Sequence, residues 1–231
     1  MALISLMLLA AVLPYLGHSA SVKVGIINGT EAKPHSRPYM VSLQMGGRHM
    51  CGGFLVSDQF VMTAAHCYMN RPRFTAVLGA HDVSNSAEGS VSMEVVAYYP
   101  HQQFNLRNLD YDIMLLKVNG YAEINKNTGQ SFLRLDGDSY EDIPANTVCS
   151  VAGWGGTAAF HPPTNRLMET KITIIDRHSC GQYWRLTTRM VCEYIHFDNY
   201  TPKRCDSTLR PNVYARISGF LPWISYIITR G

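Results

Sequence analysis

Short apolar runs separated by turn-forming residues dominate the chain from residue 26 onward. Residues 40–44, 54–62, 93–99 and 113–118 are rich in Val, Ile, Leu, Met or Tyr, and Gly, Pro, Asn and Asp lie between the runs. Such spacing is typical of short strands joined by tight turns. The sequence has no repeat of solenoid length, no low-complexity tract and no heptad pattern. The pattern therefore predicts an all-β fold, either an antiparallel sandwich or a barrel.

One helix is predicted after these runs. Its apolar residues follow the i, i+3, i+4, i+7, i+8 spacing of a single helix face, and they are Phe220, Trp223, Ile224, Ile227 and Ile228. We expect that face to contact the core. Residues 120–131 are polar and rich in turn-forming residues, which favours a linker between two β units at that point.

Residues 1–20 have the features of a secretory signal peptide. Residues 3–16 form an apolar run too short to span a bilayer, and the small residues Gly17, Ser19 and Ala20 follow it. A buried strand or helix is the alternative, because no basic residues precede the run. Since no later run reaches spanning length, we expect a secreted protein with no membrane partner. In an oxidising compartment, the six cysteines are expected to form three disulfides.

Composition narrows the choice of partners. The sequence of 231 residues is 46% hydrophobic and 16% charged, which is globular and sufficient for one large β domain or two small ones. The formal net charge is only +3 and Lys and Arg are scattered, so a nucleic-acid partner has no support. A weakly basic surface is compatible with an acidic polysaccharide. No metal or other cofactor is implied, since the acidic residues between 79 and 94 lack the spacing of a calcium loop.

Two local motifs indicate chemistry. The segment Thr-Ala-Ala-His-Cys at 63–67 follows Cys-Gly-Gly at 51–53, so His66 lies beside a cysteine that can close a loop onto Cys51. Asp112 stands at the head of an apolar run, where a buried carboxylate needs a partner. The other histidines after residue 26 are interpreted as structural: His35, His49, His81, His101, His161, His178 and His196.

These motifs resemble the chymotrypsin-like serine proteases, and within them the granzymes and mast-cell proteases. Further markers are Ile-Ile-Asn-Gly at 26–29, Val-Ala-Gly-Trp-Gly at 151–155 and Pro-Asn-Val-Tyr-Ala-Arg-Ile-Ser at 211–218. The resemblance covers residues 26–204 and resumes at 210–228. It implies a peptidase domain over 26–228, with an antiparallel six-stranded barrel at 26–125. A second barrel at 126–228 would be incomplete and followed by the helix.

The resemblance also implies roles for individual residues. His66 would be the general base, and Asp112 would hold its imidazole in the right tautomer. Ile26 would be the activation N-terminus, whose freed amine inserts into the domain. Because Gly25 precedes it instead of Lys or Arg, removal of a short propeptide at 21–25, as in granule proteases, fits better than cleavage by a trypsin-like enzyme.

The same resemblance implies the disulfide pairing and the compartment. Family pairs would join Cys51 to Cys67 and Cys180 to Cys192, which leaves Cys149 and Cys205 to each other. The protein would be secreted or stored in secretory granules, and its partners, if it is active, would be protein or peptide substrates.

The nucleophile segment of the family has no counterpart in this sequence. The family has Gly-Asp-Ser-Gly-Gly-Pro followed by strands that form the substrate-binding wall, whereas residues 204–211 read Arg-Cys-Asp-Ser-Thr-Leu-Arg-Pro. Two strands with their connections do not fit into this interval. Ser207 follows an aspartate, but Cys205 and Thr208 stand where the oxyanion-hole glycines are required, so Ser207 is a weak candidate for the nucleophile. Asn212 would line what remains of the primary pocket.

Three hypotheses follow from this gap. The first is a splice form or gene-model error in a serine endopeptidase gene, which is favoured because the missing parts form one contiguous block. The second is a secreted pseudoprotease that binds proteins or polysaccharide through the remaining scaffold. The third is an active endopeptidase in which an unexpected serine replaces the lost nucleophile.

Overall fold

The computed structural model describes residues 26–122, 143–158, 161–195 and 211–231, which form a closed barrel, an open sheet and a C-terminal helix. The strands are β1 Thr30–Glu31, β2 Met40–Met45, β3 Arg48–Leu55, β4 Phe60–Thr63, β5 Thr75–Leu78, β6 Val91–Pro100, β7 Met114–Val118, β8 Val148–Gly153, β9 Met168–Ile175, β10 Met190–Ile195 and β11 Asn212–Ala215. The α-helices are α1 Arg177–Gly181 and α2 Leu221–Arg230, and short 3₁₀ helices cover Ala65–Tyr68, Ser86–Glu88 and Ile217–Phe220.

The first β structure is a closed antiparallel barrel with the strand order β2-β3-β4-β7-β6-β5. Alternate side chains point inward, as the two-residue period of a strand requires. Val41 and Leu43 of β2, Leu78 of β5, and Met114 and Leu116 of β7 are completely buried in its interior. Because every strand of the barrel is paired on both sides, it has no free edge.

Helix α2 covers the outer face of this same barrel. Leu221 and Ile224 pack in one cluster with Phe60 of β4, Leu115 of β7 and Ile113, the residue just before β7. Strand β7 is therefore buried on both faces over most of its length, which explains why 113–118 is apolar except at Lys117. The predicted contact of the helical stripe with the core is confirmed, and the contacted surface is the first barrel.

The second β structure is an open antiparallel sheet. Its strand order is β1-β9-β10-β11, and β8 pairs with β9 beside that path. Strand β1 precedes the closed barrel in the chain but pairs with β9 through Thr30 and Glu169. The described strands do not close into a ring, which confirms the predicted incomplete second barrel.

The predicted strand runs correspond to the observed strands with one difference. Residues 40–44, 93–99 and 113–118 lie in or next to β2, β6 and β7, whereas 54–62 divides between the end of β3 and β4. The Ser57 hydroxyl accepts hydrogen bonds from the backbone N–H groups of Gln59 and Phe60 and so stabilises the turn between them. Most of the predicted linker at 120–131 lies outside the described residues. Within the described ranges, no helix is long and apolar enough to cross a membrane.

Candidate active site

Strand pairing brings His66 and Asp112 to the same rim of the closed barrel. Strands β4 and β7 are antiparallel, and Thr63 at the end of β4 lies opposite Met114 at the start of β7. His66 follows Thr63 by three residues in the Ala65–Tyr68 turn, and Asp112 precedes Met114 by two. Two residues 46 positions apart in the sequence therefore become neighbours.

The Asp112 carboxylate makes two hydrogen bonds to His66. Its Oδ2 lies 2.7 Å from His66 Nδ1, and its Oδ1 accepts from the His66 backbone N–H at 2.8 Å. The two side chains are 23% and 17% exposed, so the pair is shielded but reachable. Because a carboxylate only accepts hydrogen bonds, this geometry places the imidazole proton on Nδ1 and leaves the Nε2 lone pair to accept a proton. This is the arrangement that a general base requires.

A disulfide and a close-packed glycine hold the His66 turn in place. Cys51 of β3 is bonded to Cys67, the residue after His66. A Cβ atom at Gly53 would lie 2.9 Å from the Met62 carbonyl oxygen, so the Cys-Gly-Gly segment permits β3 to approach β4 closely. Thr63 Oγ1 also donates to the Gly52 carbonyl at 2.8 Å. These contacts fix the backbone on which His66 is carried.

One cluster of metal-ligand side chains occurs among the described residues, and it lies at this site. Donor atoms of Cys51, His66 and Cys67 lie within 4.8 Å of one another. Both sulfur atoms are bonded to each other, however, and a disulfide does not supply the thiolates that bind zinc. The cluster therefore supports immobilisation of His66 and not metal binding.

Comparisons with known proteins identify the family. The trypsin family model matches residues 26–201. Human Serine protease 57 is 32% identical over 249 residues, covering 96% of this chain and 87% of the relative. Chymase from Papio hamadryas is 32% identical over 228 residues, covering 88% of this chain and 90% of the relative. The chain belongs to the trypsin family of chymotrypsin-like serine proteases.

Solved structures of the family agree with the fold. The mouse serine protease neuropsin superposes with a TM-score of 0.76 at 24% identity, covering 88% of this chain and 100% of that chain. The structure of GrC superposes with a TM-score of 0.75 at 29% identity, covering 89% of this chain and 100% of that chain. The predicted chymotrypsin-like architecture is confirmed.

The alignment lengths show that relatives in the trypsin family contain residues that this chain lacks. The alignment with Serine protease 57 spans 249 positions, which is more than the 231 residues of the chain. Some positions of that relative therefore have no counterpart here, as expected if a segment has been lost.

Two of the three predicted disulfides are present. Cys51 is bonded to Cys67, and Cys180 of α1 is bonded to Cys192 of β10. Cys149 of β8 is half-buried and forms no disulfide with any described cysteine. Its predicted partner, Cys205, lies outside the described residues, as does Ser207.

The Ile26 side chain is buried at the start of the described chain. It is 4% exposed, and a Cβ atom at Gly29 would lie 2.6 Å from its Cγ2. The Asn28 backbone N–H donates to the Thr157 carbonyl at 3.1 Å, which ties this segment to the loop after β8. Residues 204–210, where the family would carry the acidic partner of the Ile26 amine, lie outside the described residues.

The histidines interpreted as structural do pack as structural residues where they are buried. His49 Nδ1 lies 2.9 Å from Ser42 Oγ, and burial lowers its pKa to about 4. His81 is 5% exposed, and its Nε2 lies 2.9 Å from Glu31 Oε1.

Sequence reasoning missed a buried carboxyl in the open sheet. Glu193 of β10 is completely buried, and its Oε1 accepts from Asn212 Nδ2 at 2.9 Å and from the Tyr214 hydroxyl at 3.0 Å. Its Oε2 has no hydrogen-bond partner among the described residues. Burial raises the pKa of Glu193, although the two donors oppose the shift. The signal in the sequence was one charge inside the apolar run Met-Val-Cys-Glu-Tyr-Ile at 190–195.

Asn212, which was predicted to line the remaining primary pocket, therefore serves as a donor to this carboxyl. A second feature missed from sequence is the ion pair of Asp110 with Arg189, which joins the rim of the barrel to the open sheet beside Asp112.

Proposed function

We propose that this chain keeps the general-base pair of a serine endopeptidase but does not hydrolyse peptide bonds, because its nucleophile loop is absent. The carrying observation is the contrast between the intact His66–Asp112 pair and the sequence at 204–211, which contains no Gly-Asp-Ser-Gly-Gly-Pro. The excess alignment length with Serine protease 57 supports loss of a segment.

In the family reaction, a serine hydroxyl attacks the scissile carbonyl and a histidine removes its proton. His66 Nε2 would accept that proton, and Asp112 would stabilise the imidazolium through Nδ1. Backbone N–H groups must also stabilise the developing oxyanion, and losing a single such donor lowers the rate by roughly 10²–10³. Without a nucleophile, the His66–Asp112 pair has no hydroxyl from which to take a proton, so the bond to the scissile carbonyl carbon cannot form. Without an oxyanion hole, the tetrahedral intermediate is not stabilised.

The direct test is covalent labelling of the purified protein by a fluorophosphonate probe, which reacts only with an activated serine. We expect no labelling in the wild-type protein or in the Ser207→Ala and His66→Ala variants. Labelling of wild type that disappears in both variants would overturn the proposal, because it would identify Ser207 as a working nucleophile.

The origin of the gap has a separate test. We propose that a contiguous segment was removed, by splicing or by an error in the gene model, and was not lost residue by residue. The genomic interval between the codons for Cys205 and Leu209 is expected to contain an in-frame Gly-Asp-Ser-Gly-Gly segment. Contiguous codons across that interval would contradict removal.

Processing and compartment are also proposed. Residues 1–20 would be a signal peptide, residues 21–25 a propeptide, and the mature chain would begin at Ile26 in a secreted or granule protein. The buried Ile26 side chain supports a defined N-terminal segment at this point. N-terminal sequencing of protein secreted from transfected mammalian cells is expected to begin at Ile26, and an N-terminus elsewhere would contradict the assignment.

A secreted pseudoprotease binding module is the second candidate function. The closed barrel supports it, because its core is complete without the missing segment. An acidic polysaccharide is the partner that the net charge of +3 suggests. We expect the folded protein to bind a heparin column in a salt-dependent way. Its elution from heparin should require a higher salt concentration than its elution from a sulfonate cation exchanger. Equal elution from both columns would show charge attraction alone.

A further inference from the structure

The turn at residues 109–111, directly before Asp112, has a strained backbone and places Asp112 next to His66. Leu109 and Tyr111 have φ values of +53° and +57°, in the left-handed region that bulky side chains rarely adopt. Such a backbone conformation is unfavourable for these residues and persists only when its surroundings hold it. Asp110 lies between them, and Asp112 follows Tyr111 directly. Whatever holds this turn therefore sets the position of the Asp112 carboxylate.

The Asp110 side chain is the centre of the contacts that hold the turn. Its carboxylate accepts from Arg189 Nη2 at 2.9 Å, from Arg189 Nε at 3.2 Å and from Thr187 Oγ1 at 2.9 Å. It also accepts from the Tyr111 backbone N–H at 3.0 Å. Burial alone would raise the pKa of Asp110, but these donors outweigh it and hold the pKa below its usual value.

The same arginine covers the second strained residue. The Arg189 guanidinium carbon lies 3.9 Å from the centre of the Tyr111 ring, within the range of a cation–π contact. His101 stacks on Tyr111 at 4.6 Å between ring centres. Arg189 thus contacts both Asp110 and Tyr111, the two residues immediately before Asp112.

Arg189 belongs to the open sheet. It directly precedes Met190, the first residue of β10, and its carbonyl accepts from the Arg216 backbone N–H after β11 at 2.7 Å. Its guanidinium is a planar fork that matches a carboxylate in two places, so it fixes orientation as well as distance. A residue next to a strand end of one β structure therefore holds a strained turn of the other.

We propose that Arg189 is a positioning residue for the His66–Asp112 pair, acting across the junction between the open sheet and the closed barrel through Asp110 and Tyr111. The inference deepens the proposed function, because it assigns the incomplete second β structure a role in holding the general base. It requires no nucleophile, and its test measures the His66–Asp112 hydrogen bond directly.

The experiment follows the Nδ1–H proton of His66 by ¹⁵N-edited NMR, with the signal assigned by its loss in His66→Ala. In Arg189→Ala, we expect this proton to exchange with water at least tenfold faster than in wild type, because the turn that carries Asp112 is released. Arg189→Lys keeps the positive charge but loses the planar guanidinium with its two donors. We therefore expect exchange of the His66 Nδ1–H proton at a rate between those of wild type and Arg189→Ala.

Arg166→Ala is the matched control, since Arg166 also pairs across the two β structures, with Asp82 after β5 at 3.8 Å, and its acidic partners are Glu31 and Asp82, not Asp110. We expect wild-type exchange in this variant. An unchanged Nδ1–H signal in folded Arg189→Ala would overturn the proposal, and equal loss of protection in both variants would also overturn it, since it would reflect a general loosening.

If Arg189→Ala does not fold, Thr187→Val removes a single hydrogen bond to Asp110 and provides the smaller version of the same test. Faster exchange there supports the proposal, and wild-type exchange contradicts it. Fluorophosphonate labelling is independent of this readout, so a labelled protein would overturn the proposed function while leaving the role of Arg189 to be judged by the exchange data.

Discussion

The closed barrel and the open sheet both have to bury one face of a β-sheet, but they differ in how completely their strands are paired and their side chains are buried. In the barrel, all six strands are paired on both sides, and Leu43, Leu78 and Leu116 have no exposed surface. In the sheet, β8 and β11 each have a side that no described strand covers, and Val148 of β8 is 59% exposed. The sheet also buries Glu193, whose Oε2 has no hydrogen-bond partner in the described part of the chain. Closure leaves the barrel without an edge, whereas the sheet formed by the described strands keeps one.

Core truncation in each region should give the largest contrast. Leu116→Ala in the barrel is expected to lower the free energy of unfolding by about 4 kcal/mol, since a closed, completely buried site cannot collapse around the cavity. Ile172→Ala in β9 should cost only about 2 kcal/mol, because an open sheet can relax. Urea unfolding of both variants measures the difference. Equal losses would show that the open sheet is packed as tightly as the barrel.

The next effect concerns the helix. Ile224→Ala in α2 is expected to lower the free energy of unfolding by about 3 kcal/mol, since Ile224 is 1% exposed against the barrel's outer face. Hydrogen exchange should accelerate in β4 and β7 and stay unchanged in β9 and β10. Acceleration confined to β9 and β10 would place the helix energetically with the open sheet.

The smallest expected effect is the change that Glu193 causes in the free energy of unfolding as the pH rises. Its pKa is raised on folding, so the folded state retains this proton to higher pH than the unfolded state, and stability falls as the pH rises above the ordinary value of 4.5. Glu193→Gln cannot lose a proton and should be more stable than wild type at pH 8 by about 1 kcal/mol, the scale of an unpaired buried polar atom. The two proteins should converge near pH 4. Thermal unfolding between pH 4 and 8 measures the trend, and a constant difference would contradict it.

Local pattern and motif predicted much of this molecule. The apolar runs located β2, β6 and β7, and the spacing of Phe220, Trp223 and Ile224 located α2. The family motifs singled out His66 and Asp112, which the fold brings into hydrogen-bonding contact. These features are visible because strand and helix periods and short motifs are local in the sequence.

The long-range pairings could not be predicted in the same way. Asp110 and Arg189 are 79 residues apart, and nothing around either residue indicates the other. The turn inside 54–62 was also missed, since Ser57 stabilises it through hydrogen bonds that composition does not reveal. The surface that receives α2 became clear only from the tertiary structure, because an amphipathic stripe does not specify its partner.

Each of the two β structures is joined by a segment that lies beyond the other one in the chain. Strand β1 is synthesised before the barrel but belongs to the open sheet, and α2 is synthesised after the sheet but covers the barrel. On the ribosome, the apolar patch around Phe60 and Leu115 consequently stays uncovered until the whole sheet region has been translated. The time for which this patch is exposed on a nascent chain therefore depends on how long the open-sheet region takes to be translated.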